Sequence, residues 1–138
     1  MVENLIGVRD NGESPGVGIP PAPYRRLNVR LGEDVTLRIQ VFEKSGAPVV
    51  LATGPAVVTF LVRDKPGSFG DKKIEKTATR RPDLGVNIAE VLILATDTKR
   101  IEGQGTRFVW DLWLTQGGLR SALIPTSPFV LGISVQLP

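Results

Sequence analysis

A long alternation of apolar and polar positions lies between residues 107 and 115. Successive side chains of a β-strand point to opposite faces, so such a pattern predicts a half-buried strand. One predicted face holds Phe108, Trp110, Leu112 and Leu114, and the other holds Val109, Asp111, Trp113 and Thr115. The glycines of Gln116-Gly117-Gly118 accept the positive φ of a tight turn, which predicts a hairpin whose second strand starts at Leu119.

Shorter segments with the same period precede this hairpin, separated by turns rich in glycine and proline. Strands are predicted at residues 25–31, 35–41, 56–63 and 86–95, with a short extended piece at 49–51 and a charged edge strand at 72–79. Helical periodicity is absent apart from one short turn expected after Asp97. This arrangement predicts an all-β fold, a single antiparallel two-sheet β-sandwich with Ig-like topology and about seven strands. The immunoglobulin fold proper is a poor match, because Phe108 lacks the hydroxyl of a tyrosine corner.

The first 23 residues differ in composition from the rest of the chain. They contain four glycines and four prolines and few side chains that could build a core. We therefore predict an extended N-terminal arm at residues 1–23 and a sandwich domain at residues 24–138, so that deleting the arm leaves the fold intact. The arm lies on a neighbouring subunit or is a floppy terminus; in the first case Ile19, Pro20, Pro21 and Tyr24 are the expected contacts.

The absence of cysteine and histidine limits the chemistry that the chain can perform. It excludes disulfides, thiolate nucleophiles, Ser-His-Asp triads and Cys/His zinc sites. Carboxylate catalysis by Asp111 would need a second acid, for which Glu90, Asp97 and Glu102 are candidates only by elimination. We instead expect Asp111 on a solvated face, paired with Arg120 across the strands. The prediction is a protein that is not an enzyme, without catalytic, cofactor-binding or metal-binding residues.

The net charge of +3 is too small to indicate nucleic acid by itself. Residues 63–81 form the densest charged cluster, but Phe69 is its only aromatic residue, so it does not resemble a nucleic-acid platform. A solvated edge or a contact with an acidic protein surface fits better, and Arg80 and Arg81 are the candidate contact residues. The cluster comprises Arg63, Lys65, Lys72, Lys73, Lys76, Arg80 and Arg81 against Asp64, Asp71 and Glu75.

Two further features concern partners and location. Trp113 shares the outward face with Asp111, and it predicts either a contact with another protein chain or, together with Tyr24, a platform for a carbohydrate. The apolar runs are too short to cross a bilayer and the first residues lack the pattern of a signal peptide. We therefore expect no membrane partner and synthesis in the host cytoplasm.

Four segments carry a resemblance to a known family: residues 31–37 (LGEDVTL), 57–63 (VVTFLVR), 91–98 (VLILATDT) and 105–115 (GTRFVWDLWLT). Their order resembles small β-sandwich domains of tailed-phage virions, which include the N-terminal domain of baseplate upper proteins and side-tail-fibre-type minor tail proteins. The resemblance covers residues 27–135 and implies binding without chemistry.

The resemblance implies a non-enzymatic structural protein of a bacteriophage virion. Such a protein would act as a tail or baseplate adaptor that binds other phage structural proteins and forms a homo-oligomer in the particle. A capsid decoration (cement) protein is the alternative of the same class, and a carbohydrate-binding module using Trp113, Asp111 and Tyr24 is the alternative of another class.

Overall fold

The alternating segments of the sequence form β-strands in the structure, a computed structural model that describes residues 2–9, 22–65 and 71–132. Nine strands and one short helix lie within these ranges. In chain order they are β1 (Val2–Arg9), β2 (Leu27–Arg30), β3 (Val35–Glu43), β4 (Val57–Arg63), β5 (Lys72–Thr77), β6 (Thr79–Arg80), β7 (Ile88–Ile93), α1 (Ala95–Arg100), β8 (Arg107–Gln116) and β9 (Leu119–Gly132). No helix in these ranges is both long enough and apolar enough to cross a membrane.

The strands form two sheets, with the orders β1-β3-β7-β6 and β2-β9-β8-β4-β5. This architecture confirms the predicted all-β two-sheet sandwich. Most neighbouring strands are antiparallel, but the edge strands β1 and β2 pair in parallel with β3 and β9. Alternation of side chains fixes which face of a strand is buried and says nothing of its direction, so these two parallel pairs are not evident from the pattern.

The core lies between the sheets and is centred on β3, β4 and β8. The predicted apolar face of β8 is buried, and β3 alternates between buried and partly exposed positions along its length. Phe60 and Trp110 are fully buried and contact each other, with ring centroids 5.7 Å apart. Burying a large apolar side chain stabilises the fold by about 1.5–3 kcal/mol, so this aromatic contact anchors the two central strands of its sheet.

The hairpin between β8 and β9 forms as predicted. Gly117 and Gly118 have φ values of 59° and 78°, which are the left-handed conformations that a two-residue hairpin turn requires. Any residue with a Cβ would be strained at both positions, so the glycines determine the register of the pair from Gln116 opposite Leu119 onward.

The predicted arm is the main departure from the sequence analysis. Val2–Arg9 forms β1 and pairs along its whole length with β3, so these residues belong to the sandwich. Leu5 and Val8 are buried in the core, and Gly7 lies close against Leu123 of β9. Backbone pairing with β3 and the two buried side chains stabilise β1 as an edge strand, which the glycine- and proline-rich composition of residues 1–23 does not indicate. Residues 10–21 lie outside the described residues, and the domain boundary stays a prediction.

Several smaller boundaries also differ. β2 and β7 are shorter than predicted, and Arg80 belongs to the short strand β6 instead of a loop. Residues 49–51 do not form a strand, although Pro48 makes an isolated bridge to Phe42. The predicted edge strand at 72–79 is confirmed as β5, which lies at the end of its sheet.

The helix α1 closes the sandwich where the chain crosses from one sheet to the other. It begins at Ala95, before Asp97, so the predicted helical turn starts earlier than expected. The Leu94 N–H donates to the Asp97 carboxylate over 2.8 Å, and the Ala95 N–H donates to Asp34 over 2.7 Å. The Lys76 ammonium of β5 lies 2.8 Å from the Asp97 carboxylate. The contact with Asp34 therefore attaches this very short helix to the residue before β3, and the ion pair attaches it to β5.

Candidate protein-binding surface

The residues leading into β2 are fixed on the sandwich by hydrogen bonds at Arg25. The indole N–H of Trp110 donates to the Arg25 carbonyl over 2.8 Å, and the Arg25 N–H donates to the Ser127 hydroxyl over 2.9 Å. The Arg25 guanidinium donates to Glu3 of β1 over 2.9 Å, and Ala22 is buried. This short segment is thus held by both the core and the edge strand.

Tyr24 projects from this fixed segment with 75% of its surface exposed. Pro23 beside it is exposed, and Val2 and Ile6 are exposed on the outward face of β1. We call Ile6, Pro23 and Tyr24 the Tyr24 surface. A cavity of about 230 Å³ opens next to it, lined by Asn4, Ile6, Pro23, Arg25 and Ile124.

The Tyr24 surface has the composition and the rigidity of a protein contact. Tyrosine and arginine are enriched among the residues that dominate binding, where an aromatic ring fills a pocket of the partner. A segment that is already fixed also loses little conformational entropy on binding. β1 lies at the edge of its sheet and therefore presents backbone N–H and C=O groups on one side.

The sequence pattern predicts a contact at Tyr24, which stays a prediction, and it does not predict the exposed Ile6 beside Pro23. The available signal was the apolar run from Leu5 to Val8, which has the length of a strand but lies in a region poor in core residues. The other predicted arm contacts, Ile19, Pro20 and Pro21, lie outside the described residues and stay predictions.

Trp113 lies on the outward face of β8, as predicted, but its ring is not freely accessible. The guanidinium carbon of Arg120 lies 4.1 Å from the centre of the ring, a cation–π contact. The indole nitrogen of Trp113 is buried and has no hydrogen-bond partner. A sugar would have to displace Arg120 to stack on this face, so the arrangement does not favour a carbohydrate platform.

Asp111 does not occupy the environment expected from the sequence. It is buried, and its carboxylate accepts a hydrogen bond from the Thr126 hydroxyl. Arg120 lies opposite Thr115 in the strand register, which places it diagonally across from Trp113. The register also shifts between Trp110 and Leu112, and no alternation pattern reports such a bulge. The expected pairing of Asp111 with Arg120 on a solvated face is therefore wrong.

Arg80 and Arg81 contact groups of their own chain. The Arg80 guanidinium donates to the carbonyls of Gly54 and Ala56 over 2.6 and 3.1 Å. Arg81 donates to Asp83 over 2.8 Å and also forms an ion pair with Glu90. The hydrogen bond between Arg81 and Asp83 lowers the pKa of the Asp83 carboxyl and raises the pKa of the Arg81 guanidinium. Arg80 thus links β6 to the residues just before β4, and Arg81 stabilises the loop before β7. A role of either arginine in partner binding stays a prediction.

Comparisons with known proteins find similarity to solved structures. No protein-family model matches the chain, and no curated protein matches it. Among solved structures the chain is similar to the N-terminal domain of phage TP901-1 ORF48, with 11% sequence identity, coverage of 95% of this chain and 98% of that chain, and a TM-score of 0.46. A similarity this distant does not transfer a function.

Proposed function

We propose that this chain is a non-enzymatic structural protein of a bacteriophage virion that binds a neighbouring virion subunit through the Tyr24 surface. The resemblance of the four sequence segments supports the virion assignment. The observation that carries the contact is a tyrosine with 75% of its surface exposed, on a segment that Trp110 and Ser127 hold in place.

The contact would be dominated by a few residues. Substitution of a central interface aromatic commonly costs 2 kcal/mol or more of binding free energy, a loss of about thirtyfold in affinity. Tyr24 brings a large ring with a polar tip, and Arg25 beside it offers donors to the same partner. The neighbouring cavity is large enough to receive one apolar side chain of that partner.

Within the virion, we propose a tail or baseplate adaptor, and a capsid decoration protein is the alternative. Copies of the chain would meet in a homo-oligomer, since β1 is an edge strand among the described residues and can pair with a strand of another subunit. Copy number separates the two placements, because a decoration protein is present in numbers close to those of the capsid subunit.

The test is incorporation of a Tyr24→Ser variant into particles. Because Tyr24 is 75% exposed, the variant should unfold at the same urea concentration as the wild type while its amount per particle falls at least tenfold. Leu119→Ser is the matched control, because Leu119 is 76% exposed at the β8–β9 turn. Equal incorporation of Tyr24→Ser and wild type would contradict the proposed contact.

A further inference from the structure

A second surface lies at the opposite edge of the five-stranded sheet from β2. A groove of about 450 Å³ runs between edge strand β5 and the residues that follow α1. We call it the β5 groove; its lining is Lys72, Lys73, Glu75, Arg100, Ile101 and Gln104.

The polar groups of the β5 groove are positioned by hydrogen bonds to one another. The Arg100 guanidinium donates to the Lys73 carbonyl over 2.8 Å, and the Lys73 ammonium donates to the Gln104 side-chain oxygen over 2.8 Å. The Gln104 amide in turn donates to the Arg100 carbonyl over 3.3 Å. Each cation retains further N–H donors, so the groove presents donors whose geometry is largely set before anything binds.

The charge of the groove is positive. Its lining has three cations and one carboxylate, a formal charge of +2, whereas the whole chain carries +3. Glu75 pairs with Lys72 over 3.2 Å, and the other five lining residues include no acid. A ligand with carboxylates would complement this charge.

We propose that the β5 groove binds an acidic segment of a partner protein. None of its lining residues is aromatic, so a nucleic acid would find phosphate contacts without a surface for stacking bases. The Lys73 carbonyl on the open side of β5 already accepts a hydrogen bond from Arg100, so a partner strand cannot pair with β5 at that carbonyl. Side chains therefore recognise the partner there. This inference does not depend on the virion assignment.

The experiment measures fluorescence anisotropy of labelled peptides with the purified chain. A labelled oligoglutamate should bind, the oligoglutamine of the same length should not, and raising the NaCl concentration should weaken binding. Lys72→Gln and Arg100→Gln should each weaken binding about two- to fivefold, the usual range for an exposed ion pair. Lys72 is the safer position, since its side chain is exposed and, among the described residues, its ion pair is with nearby Glu75.

Arg30→Gln is the matched control for charge. It removes one exposed cation from β2, at the other edge of the same sheet, and should leave the affinity unchanged. If Arg30→Gln lost as much affinity as Lys72→Gln, the inference would be overturned, because the loss would reflect the net charge of the protein and not the groove. Unchanged binding by both groove variants, or tighter binding of an oligothymidylate of equal charge, would overturn it as well.

Discussion

At the scale of single residues, the two tryptophans show how one strand separates structural from surface roles. Trp110 is fully buried and its indole N–H fixes Arg25, whereas Trp113 lies three residues on with its nitrogen unpartnered and its ring under Arg120. Only the buried tryptophan therefore links the core to the segment that carries Tyr24.

Trp110→Phe should lower the free energy of unfolding by about 2–3 kcal/mol, because it leaves a cavity and removes the donor to the Arg25 carbonyl. Trp113→Phe loses no hydrogen bond and retains a ring under Arg120, so its cost should be about 1 kcal/mol or less. Urea unfolding of the two variants measures this difference. Equal costs would show that the indole of Trp110 does not anchor the segment.

Asp97 is the buried acid with the clearest electrostatic role. Burial alone would raise the pKa of its carboxyl, but Lys76 and the Leu94 N–H outweigh this effect and hold the net pKa below the usual 3.8. The folded pKa is thus below the unfolded one. The carboxylate contributes stability that is fully present above the unfolded pKa and is lost as the pH falls through the folded pKa.

Asp97→Asn should therefore lower the free energy of unfolding by about 1–3 kcal/mol at pH 7, and the difference from wild type should shrink below pH of about 4. Urea unfolding at pH 7 and at pH 3 tests this expectation. Lys76→Met is the complementary change, and the double variant should cost less than the two single losses together. A difference from wild type that is independent of pH would contradict the ion pair's role.

At the scale of elements, the sequence predicts strands well where alternation is long and turns are marked by glycine. β3 and the β8–β9 hairpin are confirmed on this basis, and β5 is confirmed as the charged edge strand. β1 was missed because its stability comes from pairing with a strand distant in sequence, and local composition contains no record of that pairing. The same limit explains the candidate sites: Tyr24 is evident as an isolated aromatic residue, but the β5 groove depends on Arg100 and Gln104 meeting β5 in three dimensions.

Gly7→Ala tests whether β1 is an integral strand. A Cβ at this position would lie 2.9 Å from the Leu123 Cβ, so the variant should lose about 1–3 kcal/mol of stability through overpacking. Gly132→Ala is the control. A Cβ at this position would lie 3.8 Å from its nearest neighbour, the Val29 carbonyl oxygen, so the free energy of unfolding should change by less than about 0.5 kcal/mol. If Gly7→Ala were as stable as the wild type, β1 would not be packed against β9.

Deletion of residues 1–9 tests the same element more severely. Because Leu5 and Val8 are buried and β1 covers one edge of β3, the truncated chain should unfold at clearly lower urea concentration than the full chain. This outcome is the reverse of the expectation for a detachable arm. Unchanged stability after truncation would restore the arm interpretation for these residues.

At the scale of the whole molecule, the two proposed surfaces lie at opposite edges of the sandwich. The Tyr24 surface adjoins β1 and the start of β2, and the β5 groove lies at the far end of the five-stranded sheet. A protein that contacts one neighbour at each edge can join two subunits, which is the role that we propose for a tail or baseplate adaptor.

The measurement that tests the central claim most directly is quantitative mass spectrometry of phage particles purified from a lysate in which this chain is produced. The chain should be present in a fixed number of copies per particle, at a ratio to the major capsid protein far below one for a tail or baseplate adaptor. A ratio close to one would instead place it on the capsid as a decoration protein. Its absence from purified particles would contradict the proposal of a structural virion protein.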